Sequence, residues 1–274
     1  MSSTLLKSLN HLIVAGLLSA AAPASAQTVY VNQGSDWTAN LRQDFYTRDQ
    51  GSRIMPLSWM RALDAPDGTG FLDDALARYG YLPLPGRADP DLPVGFVAAG
   101  SDTNPSVGMN CAACHTREID VNGTAYRLDG GPAIVDFQAF LKDLDDAVLA
   151  VLADGAKLTV FANKVLGSGA MQEQIAALKI ELADWSFRYH TLIERSLPDP
   201  AWGPSRLDAV SMIFNRLTGL DIGDGPGHVI AENIAVADAP TRYPFLWNAA
   251  RQDKTQWPGF AYNGNENLGL ARNL

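Results

Sequence analysis

The 274 residues hold two cysteines, three apart, with a histidine directly after them: Cys111-Ala112-Ala113-Cys114-His115. Thiols at that spacing sit on neighbouring turns, so both can reach the two vinyl groups along one edge of a porphyrin. The next residue falls beneath the ring, where its imidazole meets the iron. The pattern is that of covalent haem c attachment, with Cys111 and Cys114 holding one porphyrin and His115 ligating its iron. The iron then shuttles between ferrous and ferric at a potential set by the second axial ligand, burial and hydrogen bonds. Other chemistries suit these residues less well. Zinc takes about four ligands, and no second cysteine pair exists. A thioredoxin-type thiol pair calls for a strand leading into a helix, whereas a Gly/Pro-rich stretch, 83–105, precedes this motif. A structural disulfide usually closes a wider loop.

The sixth iron position is not specified. The soft or imidazole candidates are Met55, Met60, Met109, Met171, Met212, His190 and His228. Met212 lies between Val210 and Ile213 in a helical pattern, where a core role is the expectation. His190 falls near the end of a long helix, where the helix dipole accounts for it. His228, in Gly225-Pro226-Gly227-His228, is the best-placed imidazole, though an ordinary loop histidine accounts for it as well. The expectation is therefore an iron without a strong sixth protein ligand. An open site is what separates an enzyme from a carrier, because O2 or peroxide binds only where a position is vacant.

The N-terminus reads as an export address. Lys7, the apolar run 12–22 and Ala24-Ser25-Ala26 make a signal peptide over residues 1–26, with cleavage before Gln27. The apolar run is shorter than the ~20 residues a membrane span needs, and no later segment is long and apolar enough. A periplasmic or secreted protein without stable membrane insertion is expected. The net charge of −9 argues against nucleic acid as a partner, since phosphate binding needs clustered Lys and Arg. It suits a redox partner protein with a basic docking face.

Several elements must position the motif. Phe45, Ile54, Met55, Leu57, Trp59, Met60 and Leu63 indicate helical turns interrupted at Pro56. A short helix is expected over 71–79 and a short strand over 124–128. Phe137, Phe140, Leu141, Leu144, Val148, Val151 and Leu152 recur at spacings of three and four, which predicts an amphipathic helix. A longer helix is expected over 171–195 and a third over 204–217, started by Pro204 and stopped by Gly219. From Asp221 onward the chain is rich in Gly, Pro and Asn. The reading is mainly α, a cytochrome c-type helical haem core with long decorating loops.

A set of segments in a fixed order adds a resemblance. They are Asp49-Gln50-Gly51-Ser52-Arg53-Ile54-Met55-Pro56 with Trp59, Arg78-Tyr79-Gly80-Tyr81-Leu82, Leu92-Pro93-Val94-Gly95-Phe96, and Gly108-Met109-Asn110 before the motif. Trp202 to Ala209, Tyr243-Pro244-Phe245-Leu246-Trp247 and Gln256-Trp257 complete it. Together they resemble the N-terminal half of large bacterial di-haem c-type cytochromes, the rubber-oxygenase-like group, which is distantly similar to di-haem cytochrome c peroxidases. The resemblance implies a second haem in a C-terminal half, so residues 27–274 are expected to be one cytochrome c-type haem domain of a chain truncated at its C-terminus. A genuine single-haem protein is the alternative. Under the resemblance Arg206 could partner a haem propionate and Trp257 could lie near an inter-haem interface, although structural roles suit both.

Three functions follow. The first is an exported c-type cytochrome that binds one covalent haem and transfers electrons. The second is a haem-dependent peroxidase or oxygenase acting with a second haem. The third is a non-catalytic haem-binding sensor. The first is the primary expectation, and no substrate or catalytic residue is indicated.

Overall fold

A computed structural model describes residues 28–225, 227–255 and 261–262. The export segment 1–26 and the Gln256-Trp257 pair lie outside the described residues. In chain order the first elements are β1 (Thr28–Tyr30), α1 (Ala39–Thr47), β2 (Met55–Pro56), α2 (Leu57–Ala62), β3 (Phe96–Ala99) and β4 (Ser106–Met109). The motif helix α3 (Cys111–Cys114) follows, then β5 (Thr116–Val121) and β6 (Thr124–Asp129). The helical layer is α4 (Phe137–Ala153), α5 (Gly155–Leu166) and α6 (Gln172–Ser196). After it come β7 (Arg206–Leu207), α7 (Ala209–Arg216), β8 (Thr241–Arg242), β9 (Lys254–Thr255) and β10 (Ala261–Tyr262).

This is a mixed α/β architecture, and it corrects the expected mainly helical cytochrome core. The helices account for the larger share of residues, but there are also two three-stranded sheets: β2-β4-β3 lies before the motif in sequence, and β1-β6-β5 joins β1, before the motif, to the two strands that follow it. The physical reason is legible in the β5–β6 segment. Arg117, Ile119 and Val121 alternate with polar neighbours toward Asn122-Gly123, both in the left-handed region at φ 53° and 80°. An Asn-Gly pair with positive φ at both positions is the preferred two-residue hairpin turn. Strands β5 and β6 pair antiparallel through it, from Val121 opposite Thr124 to Thr116 opposite Asp129. The expected strand over 124–128 is one arm of that hairpin. The stretch 83–105, expected as loop, contains β3, which pairs with β4.

The strongest periodic segments fold as expected. The predicted amphipathic helix is α4, capped by the Asp136 carboxylate accepting from the Ala139 N–H at 3.0 Å, and the long helix is α6. Helix α5, not foreseen, is capped by Asp154 and buries Leu158, Phe161 and Ala162. The expected helix over 71–79 is instead a series of turns ending in one 3-10 turn, Ala77–Tyr79. The third helix starts later than expected, at Ala209, because the Asp208 carboxylate caps it by accepting from Ser211 N–H. Phe140 joins the layers, with its ring against Phe71, Tyr79, Tyr81 and Phe96. Phe71, Phe96, Phe140, Leu144, Phe161 and Leu182 are fully buried. Each contributes about 1.5–3 kcal/mol of burial.

Candidate functional site

The motif helix α3 sits at the turn between the two sheets, entered from β4 and left into β5. Asn110 caps it. Its side-chain oxygen accepts from Ala112 N–H at 2.9 Å, and its amide donates to the Arg48 carbonyl at 3.0 Å. Gly95 lets the chain pass close enough to hold that cap. A Cβ there would fall 2.0 Å from the Ala113 nitrogen, and its φ of +80° is left-handed. Only glycine meets both demands. The Gly95 carbonyl accepts from Asn110 N–H at 2.8 Å. Gln50 then receives both the backbone N–H of Cys111, at 3.1 Å, and its thiol, at 2.9 Å.

Both cysteines are free thiols. Burial raises both thiol pKa values. Cys114 is pushed to about 12, against a partly opposing hydrogen-bonding influence from Tyr243. The Tyr243 hydroxyl faces the Cys114 thiol without reaching good hydrogen-bond geometry. These thiols are therefore protonated and poor nucleophiles at neutral pH. Thiol–disulfide catalysts use the opposite arrangement, a thiol whose pKa is lowered. The expected ground for setting that chemistry aside, a loop before the motif, does not hold, because β4 leads straight into α3. The thiols' environment now supplies the ground instead.

His115 is 4% exposed. Its Nδ1 lies 3.0 Å from the Pro244 carbonyl oxygen. A carbonyl can only accept, so Nδ1 carries the proton and donates, leaving Nε2 with its lone pair. Burial lowers the imidazole pKa to about 4, outweighing the raising effect of the Pro244 bond. The ring is neutral at physiological pH and in the tautomer a metal needs. Iron- and zinc-ligating histidines are typically held this way, with the non-ligating N–H on a backbone carbonyl or carboxylate. Tyr243 packs edge-on to the ring, with centroids 6.0 Å apart.

Asp129 ties this clamp to the rest of the protein. It stands opposite Thr116 in the β5–β6 ladder and is 1% exposed. Its carboxylate accepts from Trp37 Nε1 at 2.7 Å, from Arg42 Nε at 2.8 Å and from the Tyr46 hydroxyl. Its carbonyl accepts from Gln33 and from Trp247 Nε1, at 2.9 and 2.8 Å. The next residue, Gly130, donates its N–H to the His115 carbonyl, and its own carbonyl accepts from Leu246 N–H. The α1 region thus meets the hairpin at the buried Asp129 carboxylate, and the 244–247 segment meets it at the Asp129 and Gly130 backbone carbonyls. Nothing in the sequence marked Asp129 beyond the Asp-Gly-Gly-Pro turn it begins.

The donor set fits a haem c: two free thiols on one short helix and a neutral imidazole with Nε2 unprotonated. Buried polar atoms without a hydrogen-bond partner gather at the same place. Among the described residues there are five: Tyr81 OH, Tyr243 OH, Thr116 Oγ1, Arg117 Nε and Asp145 Oδ1. Four of them are on residues that follow or pack against the motif. All four are hydrogen-bond donors, which calls for acceptors that the polypeptide does not provide. The crevice behind α3, lined by Gly80, Leu82, Val94, Ala112, Ala113, Thr116 and Val135, has no room even for a water molecule and none for a porphyrin. No group of three or more His, Cys, Asp or Glu side chains among the described residues is arranged to cage a metal by itself.

The remaining candidates are dispersed. Met55 and Met60 are buried in the main core, Met109 and Met212 are half-buried against it, and Met171 is 59% exposed at the start of α6. His190 Nδ1 lies 2.8 Å from Asp145 Oδ2, so a carboxylate partner, rather than the helix dipole, accounts for it. His228 is exposed on its loop. Arg206 is exposed on β7, directly opposite Arg242 of β8.

Comparison with known proteins gives one informative match. The chain is 30% identical over 250 residues to "Uncharacterized protein y4iJ" of Sinorhizobium fredii, an alignment that covers 81% of this chain. The chain spans 40% of that relative's length. No family model matches, and no solved structure matches.

Proposed function

We propose that the chain is an exported c-type cytochrome that carries one covalent haem and transfers electrons. The observation that carries this reading is the His115 imidazole, fixed by the Pro244 carbonyl in the tautomer that leaves Nε2 to the iron. Bound there, haem supplies a one-electron ferrous/ferric couple. The polypeptide does the rest. Cys111 and Cys114 fasten the ring, and the Pro244 carbonyl orients the imidazole and makes Nε2 more basic. Burial of His115 keeps water and protons from competing for that nitrogen. A net charge of −9 favours a redox partner with a basic docking face, in the periplasm or outside the cell.

The deciding experiment expresses the chain with its export segment in a host that attaches haem c. Acid-acetone should leave the haem on the protein, and the mass should exceed the mature polypeptide by one haem. Haem that extracts freely, or a protein that matures without any, refutes the reading. The length of the matched relative favours a second reading, a haem-dependent peroxidase or oxygenase working with a second haem supplied by further polypeptide. Peroxide turnover or O2 consumption by the reconstituted longer protein, absent from this chain alone, would establish it.

A further inference from the structure

The β5–β6 hairpin keeps its acids on one face. Thr116, Glu118 and Asp120 alternate onto the same side, where Asp129 and Arg127 of β6 stand directly opposite Thr116 and Glu118. That side is electrically settled. Glu118 takes the buried Arg127 at 2.8 Å, and the Asp129 carboxylate takes Trp37, Arg42 and Tyr46. Arg117 leaves from the other side, where its partner across the ladder is Leu128.

Arg117 is half-buried, and its guanidinium makes no hydrogen bond or ion pair among the described residues. Its Nε is a buried donor without an acceptor. The other described arginines without a partner, Arg195, Arg206, Arg242 and Arg251, are all exposed, where water serves them. Burying a cationic donor without a counter-ion is costly, and it is unexpected in a chain of net charge −9. The position calls for an anion that the polypeptide does not supply.

The place of Arg117 indicates which anion. It follows His115 by two residues, at most about 7 Å along the backbone, so its long side chain is within reach of a ring ligated there. Haem carries two propionates on the edge opposite its vinyl groups. Cys111 and Cys114 belong to the vinyl edge, His115 to the iron, and β5 then leads the chain on to Arg117. Tyr81 and Tyr243, the neighbouring buried donors, both interact with Cys114 and so belong to the vinyl side. A planar guanidinium can take a carboxylate through two parallel hydrogen bonds. We infer that Arg117 holds a haem propionate, an assignment that rests on the haem reading of the motif. It replaces Arg206 in that role, since Arg206 is exposed on β7 opposite Arg242. A cation there favours ferrous iron, which carries one positive charge fewer than ferric, and it neutralises a propionate that would favour the ferric form.

Resonance Raman on the mature chain loaded with haem c tests it, because the propionate bending band moves with the hydrogen bond that the carboxylate accepts. Arg117→Gln should lower that band's frequency while the haem stays covalently attached. Its midpoint potential should fall by about 59 mV, a tenfold shift of the ferrous/ferric balance for one electron. Arg117→Lys keeps the charge without the fork, so it should restore most of the potential and leave the band shifted. Should the glutamine variant fail to accumulate, the band of the lysine variant decides. Arg206→Gln should change neither quantity. Full haem loading with an unmoved band in the Arg117 variants overturns the assignment and leaves the haem reading standing, as does a band that answers to Arg206→Gln instead. A wild type without covalent haem overturns both.

Discussion

Replacing Asp129 with alanine strips one acceptor from three donors at once: Trp37 Nε1 and Arg42 Nε, at 2.7 and 2.8 Å, and the Tyr46 hydroxyl. Each buried donor left unmatched costs about 1–3 kcal/mol, and breaking a buried ion pair from one side costs about 3–5 kcal/mol. Those figures do not add. The Arg42 side chain keeps 16% exposure and can swing to water, whereas Tyr46, 1% exposed, cannot. A net loss of about 3–5 kcal/mol is expected, which for a domain of this size lowers Tm by roughly 6–20 °C. Because whole domains are stable by only about 5–15 kcal/mol, the variant should be close to unfolding at body temperature. Urea unfolding followed by far-UV circular dichroism, wild type against Asp129→Ala, gives the difference directly. A double-mutant cycle with Arg42→Gln should return a coupling of about 1–3 kcal/mol. A loss under about 1 kcal/mol for Asp129→Ala would refute the claim that this carboxylate ties the α1 region to the hairpin.

Gly95→Ala forces a Cβ to within 2.0 Å of the Ala113 nitrogen at a φ of +80°. It should destabilise by about 3 kcal/mol or more and cut haem attachment, and a normally loaded, normally melting variant would contradict the packing described. In the haem-free protein, Cys114 with its pKa near 12 should expose only about one thiolate in ten thousand at pH 8. Iodoacetamide should therefore mark Cys111 well before Cys114, and equal rates would place Cys114 in water. His190 has its pKa raised, chiefly by its hydrogen bond to Asp145. A raised folded-state pKa means that the stabilisation is complete below the unfolded value near 6.5 and fades as pH rises through the folded value. With the His190 side chain 38% exposed, solvent screening holds it to under about 1 kcal/mol. Burial raises Asp145, an opposing cost that is constant once the carboxylate is ionised. The stability gap between wild type and His190→Gln should narrow from pH 5.5 to pH 8.5 in urea titrations, and a gap that widens would show the sign to be wrong.

What the sequence disclosed depended on how local the signal was. Helices α4 and α6 are long and strongly periodic, so Phe140 and Leu144 announced their burial in advance. The motif was local as well, five residues whose types leave few chemistries. The sheets were missed for a different reason. Strands β2, β3 and β4 are two to four residues long, too short for alternation to show, and β2 pairs with β4 across more than forty residues. The exception is Asn122-Gly123, a hairpin signal present in the sequence and not used, which alone argued against a mainly helical fold. Asp129 and Pro244 could not be found locally at all. Their roles arise from partners 87 and 129 residues away, and neither belongs to a motif.

The same limit decides between the two chemistries open to a Cys-x-x-Cys pair. A strand entering a short helix that bears both thiols is the backbone setting of a thiol–disulfide catalyst, and β4 followed by α3 provides it. Backbone setting alone would therefore favour thiol–disulfide chemistry over the haem attachment proposed. What separates the two is the surroundings. A catalyst needs a thiolate, held by positive charge or a helix N-terminus. Here α3 is four residues long, the only polar neighbour of Cys111 described is the neutral Gln50 oxygen, and Cys114 packs beside buried tyrosines. Both thiols consequently rise rather than fall in pKa, and the histidine after them is turned, by one backbone carbonyl, to present a lone pair. Alkylation rates and haem loading measure these two halves independently. A protein that loads haem on fast-reacting, low-pKa thiols would break the link argued between burial and function at this site.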